Sequence, residues 1–151
     1  MSIWFEGYGC TANQGETIEM KEHAHQLGHE IASSSDSAET VVLGTCTVIE
    51  STQNKMERRI SDLMDQGKHV IVSGCMATAD AKILGSKFPK APLVSPGDID
   101  GLGDLIGRGG CKPEKQDSPL AAILPISSGC LGRCTYCATL QIGRASCRER
   151  V

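Results

Sequence analysis

Apolar positions fall in short runs separated by longer amphipathic stretches, which is the signature of strands alternating with helices around a parallel sheet. The short runs lie at residues 3–8, 30–32, 40–44, 69–73 and 92–94 and predict five strands. Between the first two, residues 14–27 place Thr17, Met20, Ala24 and Leu27 on one helical face and stop at Gly28, a residue suited to the left-handed position past a helix end. Residues 51–66 repeat this arrangement with Met56, Ile60 and Leu63 ahead of Gly67. Shorter helices are predicted at 79–87 and 98–106, and the pattern breaks down after Gly107. The expected fold is an α/β domain over residues 1–107, an open, mostly parallel five-stranded sheet with flanking helices.

Residues 108–119 are polar, rich in Gly and Pro and without periodicity, and so read as a linker. A new apolar run at 120–126 predicts another strand. One strand and a loop cannot bury a core, so the chain is expected to stop just inside a second domain spanning 120–141. Residues 142–151 resemble the in-frame translation of a sequencing-library adapter and are expected to be a non-native tail, outside any reasoning about the fold.

Composition is that of a soluble globular domain: 151 residues, 40% hydrophobic and 22% charged. With 15 Lys+Arg against 18 Asp+Glu the net charge is −3, so composition carries no basic footprint for nucleic acid, and DNA is not an expected partner. No apolar run approaches the ~18 residues of a membrane span. The 8 cysteines change the picture. Met1 leads directly to Trp4-Phe5-Glu6-Gly7, with no basic or apolar leader, so a reducing cytoplasm is expected. In that setting organised cysteines point to metal or catalysis rather than to disulfides.

Three of the predicted strands end in a small residue followed by cysteine: Gly9-Cys10, Thr45-Cys46 and Gly74-Cys75. Parallel strands present their carboxyl ends on one edge, where open α/β sheets bind ligands, so these cysteines are expected to converge. Two readings stand. Each can be a buried structural cysteine, or the three can form a soft-metal site as thiolates. His23 and His25 are two apart on a helix, point to different faces, and are expected to be solvated rather than to complete the set.

A second cluster is local: Cys130-Leu-Gly-Arg-Cys134-Thr-Tyr136-Cys137, a Cys-x3-Cys-x2-Cys loop directly after the predicted strand 120–126. Three thiolates within one loop can hold three irons of a [4Fe–4S] cube and leave the fourth for an external ligand, whereas a zinc ribbon shows two Cys-x2-Cys pairs. This loop, with Tyr136 before its last cysteine, resembles the radical S-adenosylmethionine signature. Tyr8-Gly-Cys-Thr-Ala-Asn13, Gly44-Thr-Cys-Thr-Val48 followed by Gln53-Asn-Lys-Met56, and Ser73-Gly-Cys-Met-Ala77 resemble the N-terminal domain of the methylthiotransferases. The resemblance covers nearly all of residues 3–140.

The resemblance implies two [4Fe–4S] clusters. Cys10, Cys46 and Cys75 would hold an auxiliary cluster implicated in sulfur delivery. Cys130, Cys134 and Cys137, with Tyr136 beside them, would hold the cluster whose open iron binds S-adenosylmethionine, at the start of a radical-SAM barrel. It implies insertion of a methylthio group at an inert C–H bond, chemistry that the cofactor carries while the protein supplies position. The motifs look most like the archaeal and eukaryotic type, which modifies C2 of N6-threonylcarbamoyladenosine next to the tRNA anticodon. Enzymes acting on isopentenyladenosine or on a ribosomal-protein aspartate are the alternatives. tRNA, through downstream regions, and an electron donor are the implied partners, and no catalytic residue is assigned beyond the cluster ligands.

A non-catalytic iron–sulfur module is the competing class, distinguished by whether S-adenosylmethionine is cleaved. Without the rest of the barrel, the chain by itself is expected to be inactive. Lys55, Arg58 and Arg59 form a basic group on the second helix, read as a solvated face before a phosphate contact. Cys111 is expected to be a free thiol in the linker, and Cys147 belongs to the tail and has no assigned role.

Overall fold

The computed structural model describes residues 1–47 and 50–110, together with Ile123, Ser127, Ser128, Cys134, Thr135, Ser146 and Cys147. Five strands, β1 (Ser2–Gly7), β2 (Glu30–Ile31), β3 (Thr40–Thr45), β4 (His69–Gly74) and β5 (Leu93–Val94), form one sheet in the order β2-β1-β3-β4-β5. Every pairing is parallel. Five helices connect or follow them: α1 (Thr11–Gln26), α2 (Glu50–Asp65), α3 (Cys75–Ala79), α4 (Ala81–Lys87) and α5 (Ile99–Ile106). The five strands and the helices α1, α2 and α5 are those the hydrophobic pattern predicts.

Both faces of the sheet are covered, which explains why its central strand is apolar without interruption. β3 is buried at all six positions. Val41 and Leu43 of β3 and Val70 and Val72 of β4 join Met56, Ile60 and Leu63 of α2 and Leu84 of α4 in one core. Val42 and Ile71, pointing the other way, join Met20 and Ala24 of α1 and Leu102 and Ile106 of α5 in a second. Each such aliphatic side chain contributes about 1.5–3 kcal/mol by leaving water. Met20 and Ala24 on α1 and Met56, Ile60 and Leu63 on α2 are buried as the stripes predict, with Leu27 packed at the margin and Thr17 half-buried.

Helix ends follow local chemistry. Gly28 and Gly67 have φ of 87° and 76° just beyond α1 and α2, as glycine past a helix end should. Asp98 caps α5, its carboxylate accepting from the Gly101 amide at 3.0 Å. α1, however, starts three residues before the predicted boundary: Cys10 stands at its N-cap in extended conformation, with no side-chain cap bond to announce it.

The helix predicted over 79–87 is corrected. It is two helices, α3 and α4, broken at Asp80 (φ −112°, ψ 21°), and the first of them begins at Cys75. At this break the Asp80 carboxylate accepts, through Oδ2, from the Thr47 hydroxyl at 2.7 Å and the Gln53 amide at 3.3 Å.

Most of the predicted strand at 120–126 lies outside the described residues. Beyond it, β6 (Ser127–Ser128) pairs antiparallel with β7 (Ser146–Cys147). Among the described residues no helix is long and apolar enough to cross a membrane.

Candidate metal centre at the carboxyl edge of the sheet

The order β2-β1-β3-β4-β5 reverses direction between β1 and β3: the chain steps to one side of β1 and then back to the other. The carboxyl edge at such a reversal opens a crevice, and this is the general ligand site of doubly wound sheets. Cys10 and Cys46 follow the two strands that flank this reversal, β1 and β3, and Cys75 follows β4 on the same edge. Register aligns the strand ends. Gly7 aligns with Gly44, and Thr45 with Gly74, so Cys46 and Cys75 each stand one residue past an aligned pair. The Tyr8 amide then donates to the Gly44 carbonyl at 2.8 Å, carrying the β1 chain over the edge toward Cys10.

The edge is tightly built. The Thr45 hydroxyl donates to the Ser73 carbonyl at 2.5 Å, and the Ser73 hydroxyl donates to the Leu43 carbonyl at 3.3 Å. Gly74 has φ +88°, and a Cβ there would fall 2.5 Å from the Thr45 carbonyl oxygen. This position requires glycine on both counts, conformation and space. The consequence is that α3 can start immediately at Cys75, so this thiol sits at a helix start, not at the end of a strand.

Cys10 is exposed, and Cys46 and Cys75 are half-buried; all three are free thiols. Burial first, and then the charges of Cys46, Glu16 and Cys10, push the Cys75 thiol up to about 11. The three sulfurs and the Glu16 carboxylate therefore share one electrostatic neighbourhood, in which each negative charge opposes the next. Burial, followed by the charge of Glu19, also raises the Glu16 carboxyl.

Among the described residues no three His, Cys, Asp or Glu side chains close around a single metal ion. A polynuclear cluster spaces its ligands differently, with one thiolate to each of three irons. An all-sulfur donor set suits iron–sulfur or another soft metal rather than magnesium or calcium. The cationic core of a bound cluster would favour the thiolate form against the burial and neighbouring charge that raise Cys75. In donor chemistry the edge thiols thus suit such a group.

Of the second triad, Cys134 is described and exposed, while Cys130, Tyr136 and Cys137 lie outside the described residues, as does Cys111. The expectation of solvated histidines is corrected: His23 and His25 are half-buried, and a Cβ on Gly103 of α5 would fall 2.9 Å from the His23 ring, because α5 packs across α1. The basic group on α2 divides. Lys55 and Arg58 are exposed, whereas Arg59 is engaged by Glu6 and by the Ser35 hydroxyl. Two site features were not foreseen. One is the Asp80 junction with Thr47 and Gln53; the other is Asn13, buried at 3% exposure, whose Nδ2 donates to the Thr45 carbonyl at 3.0 Å. An amide in the first turn of a helix, three residues after a candidate ligand, was the available signal for the second.

Comparison with known proteins places this edge in a family. The model of the family described as "Uncharacterized protein family UPF0004" matches residues 2–95, which contain all three edge cysteines. A probable threonylcarbamoyladenosine tRNA methylthiotransferase from Pyrococcus horikoshii is 33% identical over 92% of the chain and 37% of its own length. A threonylcarbamoyladenosine tRNA methylthiotransferase from Danio rerio is 27% identical over 91% of the chain and 29% of its own length. A ribosomal protein uS12 methylthiotransferase from Prochlorococcus marinus is 30% identical over 89% of the chain and 34% of its own length. The chain therefore spans about a third of the length of the curated relatives it matches.

Proposed function

The chain belongs to the UPF0004 family, whose model covers its whole five-stranded sheet, and from that membership we propose that it carries the cluster-binding α/β portion of a cytoplasmic tRNA methylthiotransferase. The substrate position is C2 of N6-threonylcarbamoyladenosine. The observation that carries this reading is the placement of three free thiols, Cys10, Cys46 and Cys75, just past the carboxyl ends of the neighbouring parallel strands β1, β3 and β4. The relatives bearing the threonylcarbamoyladenosine name, archaeal and vertebrate, supply the substrate class.

In this reading Cys10, Cys46 and Cys75 hold an auxiliary [4Fe–4S] cluster, and Cys130, Cys134 and Cys137 hold a second together with S-adenosylmethionine. When bound, these groups supply sulfur and radical chemistry that no side chain provides. The chain's own residues position the site. Gly9 and Gly74 keep Cβ atoms away from the edge. The Thr45 and Ser73 hydroxyls bind the β3 and β4 ends together. Glu16 on α1 has a raised carboxyl and adds to the raising of Cys75, and so is suited to hold a proton at this edge.

The test has two arms. Anaerobic reconstitution of the purified chain with iron and sulfide should give iron binding that falls when Cys10, Cys46 and Cys75 become alanine. Disruption of the gene in its own organism should remove the methylthio group from N6-threonylcarbamoyladenosine in tRNA digests analysed by mass spectrometry. The uS12 relatives favour one other substrate. Intact methylthio nucleosides together with loss of methylthio-aspartate from uS12 would select it. Cluster binding by the whole protein without cleavage of S-adenosylmethionine would instead select a non-catalytic module.

A further inference from the structure

One side chain touches the approach to all three edge cysteines. Asn13 lies in the first turn of α1, and its Nδ2 donates to the carbonyl of Thr45, the residue before Cys46. A Cβ on Gly9, the residue before Cys10, would fall 2.6 Å from the Asn13 Cβ and 2.7 Å from its Oδ1. A Cβ on Gly74, the residue before Cys75, would fall 2.5 Å from its Nδ2. The same amide therefore packs against the backbone immediately ahead of each thiol. One turn later the Thr17 hydroxyl donates to the Asn13 carbonyl at 2.8 Å and lies where a Cβ on Gly44 would have to go, at 2.5 Å.

An apolar side chain of similar size could fill this space, yet the residue is polar and its Oδ1 has no hydrogen-bond partner among the described residues. A buried acceptor left unpaired is a cost that packing alone does not require. What the amide adds is the donor to Thr45, which fixes the distance between α1 and the end of β3. We infer that Asn13 is a positioning residue that holds the backbone ahead of Cys10, Cys46 and Cys75 and so sets the spacing of the three thiolates for a metal cluster. This rests on the cluster reading above, with Asn13 acting on ligand geometry as outer partners of metal sites do.

The experiment uses the full 151-residue chain with Cys130, Cys134 and Cys137 replaced by alanine, so that the edge thiols are isolated. Asn13→Ala removes the tether, and Asn13→Leu keeps bulk while removing the donor. After anaerobic reconstitution, bound iron and sulfide, the electron paramagnetic resonance spectrum of the reduced cluster and its rate of loss to a chelator are compared with the parent. Both variants should keep the parent's circular dichroism, lose the cluster about 10-fold faster or more, and give an altered spectrum. An unchanged loss rate and spectrum in both overturns the inference. Unfolding of both also overturns it, because Asn13 would then act on the fold alone. If the parent binds no more iron than its Cys10, Cys46 and Cys75 alanine variant, the cluster reading itself fails and takes this inference with it.

Discussion

The Arg59 guanidinium takes hold of both carboxylate oxygens of Glu6, its Nε and Nη2 each donating over 3.2 Å, and so fastens α2 to β1. The Glu6 hydrogen bond holds the arginine pKa above its ordinary range. Two-pronged geometry makes this pair stronger than a typical surface ion pair, although partial exposure screens it. Arg59→Ala should lower unfolding stability by about 1 kcal/mol in urea titration. Arg58→Ala, on an exposed neighbour, should leave it nearly unchanged. Equal effects would deny the Glu6 contact any special weight.

Cys75 offers a chemical readout in the metal-free chain. A thiol raised from 9.0 to about 11 has about 100-fold less thiolate at pH 8, while its greater intrinsic nucleophilicity returns about 10-fold. Peptide-mapped alkylation at pH 8 should therefore find it about 10-fold slower than an exposed thiol of ordinary pKa. Because the folded-state value is raised, the stability this group contributes is complete below the ordinary thiol range and is lost as pH rises through about 11. Alkylation of Cys75 as fast as that of exposed Cys10 would contradict this.

Glu16 carries the same sign at lower pH. Its carboxyl is raised above 4.5, by burial first and then by Glu19, so the protonated form is the one that the fold favours. Its contribution is complete below 4.5 and is lost as pH climbs through the raised value. Glu16→Gln, neutral throughout, should thus be more stable than the parent at pH 7 and equal to it near pH 4. Urea midpoints at the two pH values check this; a glutamine variant that is less stable at pH 7 would contradict it.

Two glycines separate backbone strain from crowding. Gly67 and Gly74 both have positive φ, but a Cβ on Gly67 meets nothing within 4 Å, whereas one on Gly74 meets Asn13 and both the carbonyl and the amide of Thr45. Gly67→Ala should cost about 1–2 kcal/mol, the conformational part alone. Gly74→Ala should exceed it by at least ~1 kcal/mol and should also reduce iron uptake. Equal losses would mean that the edge yields to an added methyl.

The parts of the fold that sequence reasoning reached were those that repeat. Val41 to Leu43, Val70 to Val72 and the Met56-Ile60-Leu63 stripe announce themselves by period, and the edge cysteines by recurring after small residues. What escaped it depends on single contacts between distant segments. Nothing in residues 75–87 marks a break at Asp80, where the side chain is engaged by Thr47 and Gln53 from a distant segment. Nor does the neighbourhood of Cys10 mark a helix start, since the cap has no side-chain bond. Asn13 reads as an ordinary first-turn amide until β3 and β4 are brought beside it.

The wholly parallel pairing of β1, β3 and β4 also sets an order of events. Parallel neighbours need a crossover between them, so each ladder closes through contacts far apart in the chain, and such closures are the slow steps of folding. Cys10, Cys46 and Cys75 arrive on three different strands, and no local segment brings even two of them together. During synthesis the ribosome releases the thiols one at a time, and the edge that carries all three exists only after the third strand has docked. A metal ion delivered earlier would meet isolated cysteines.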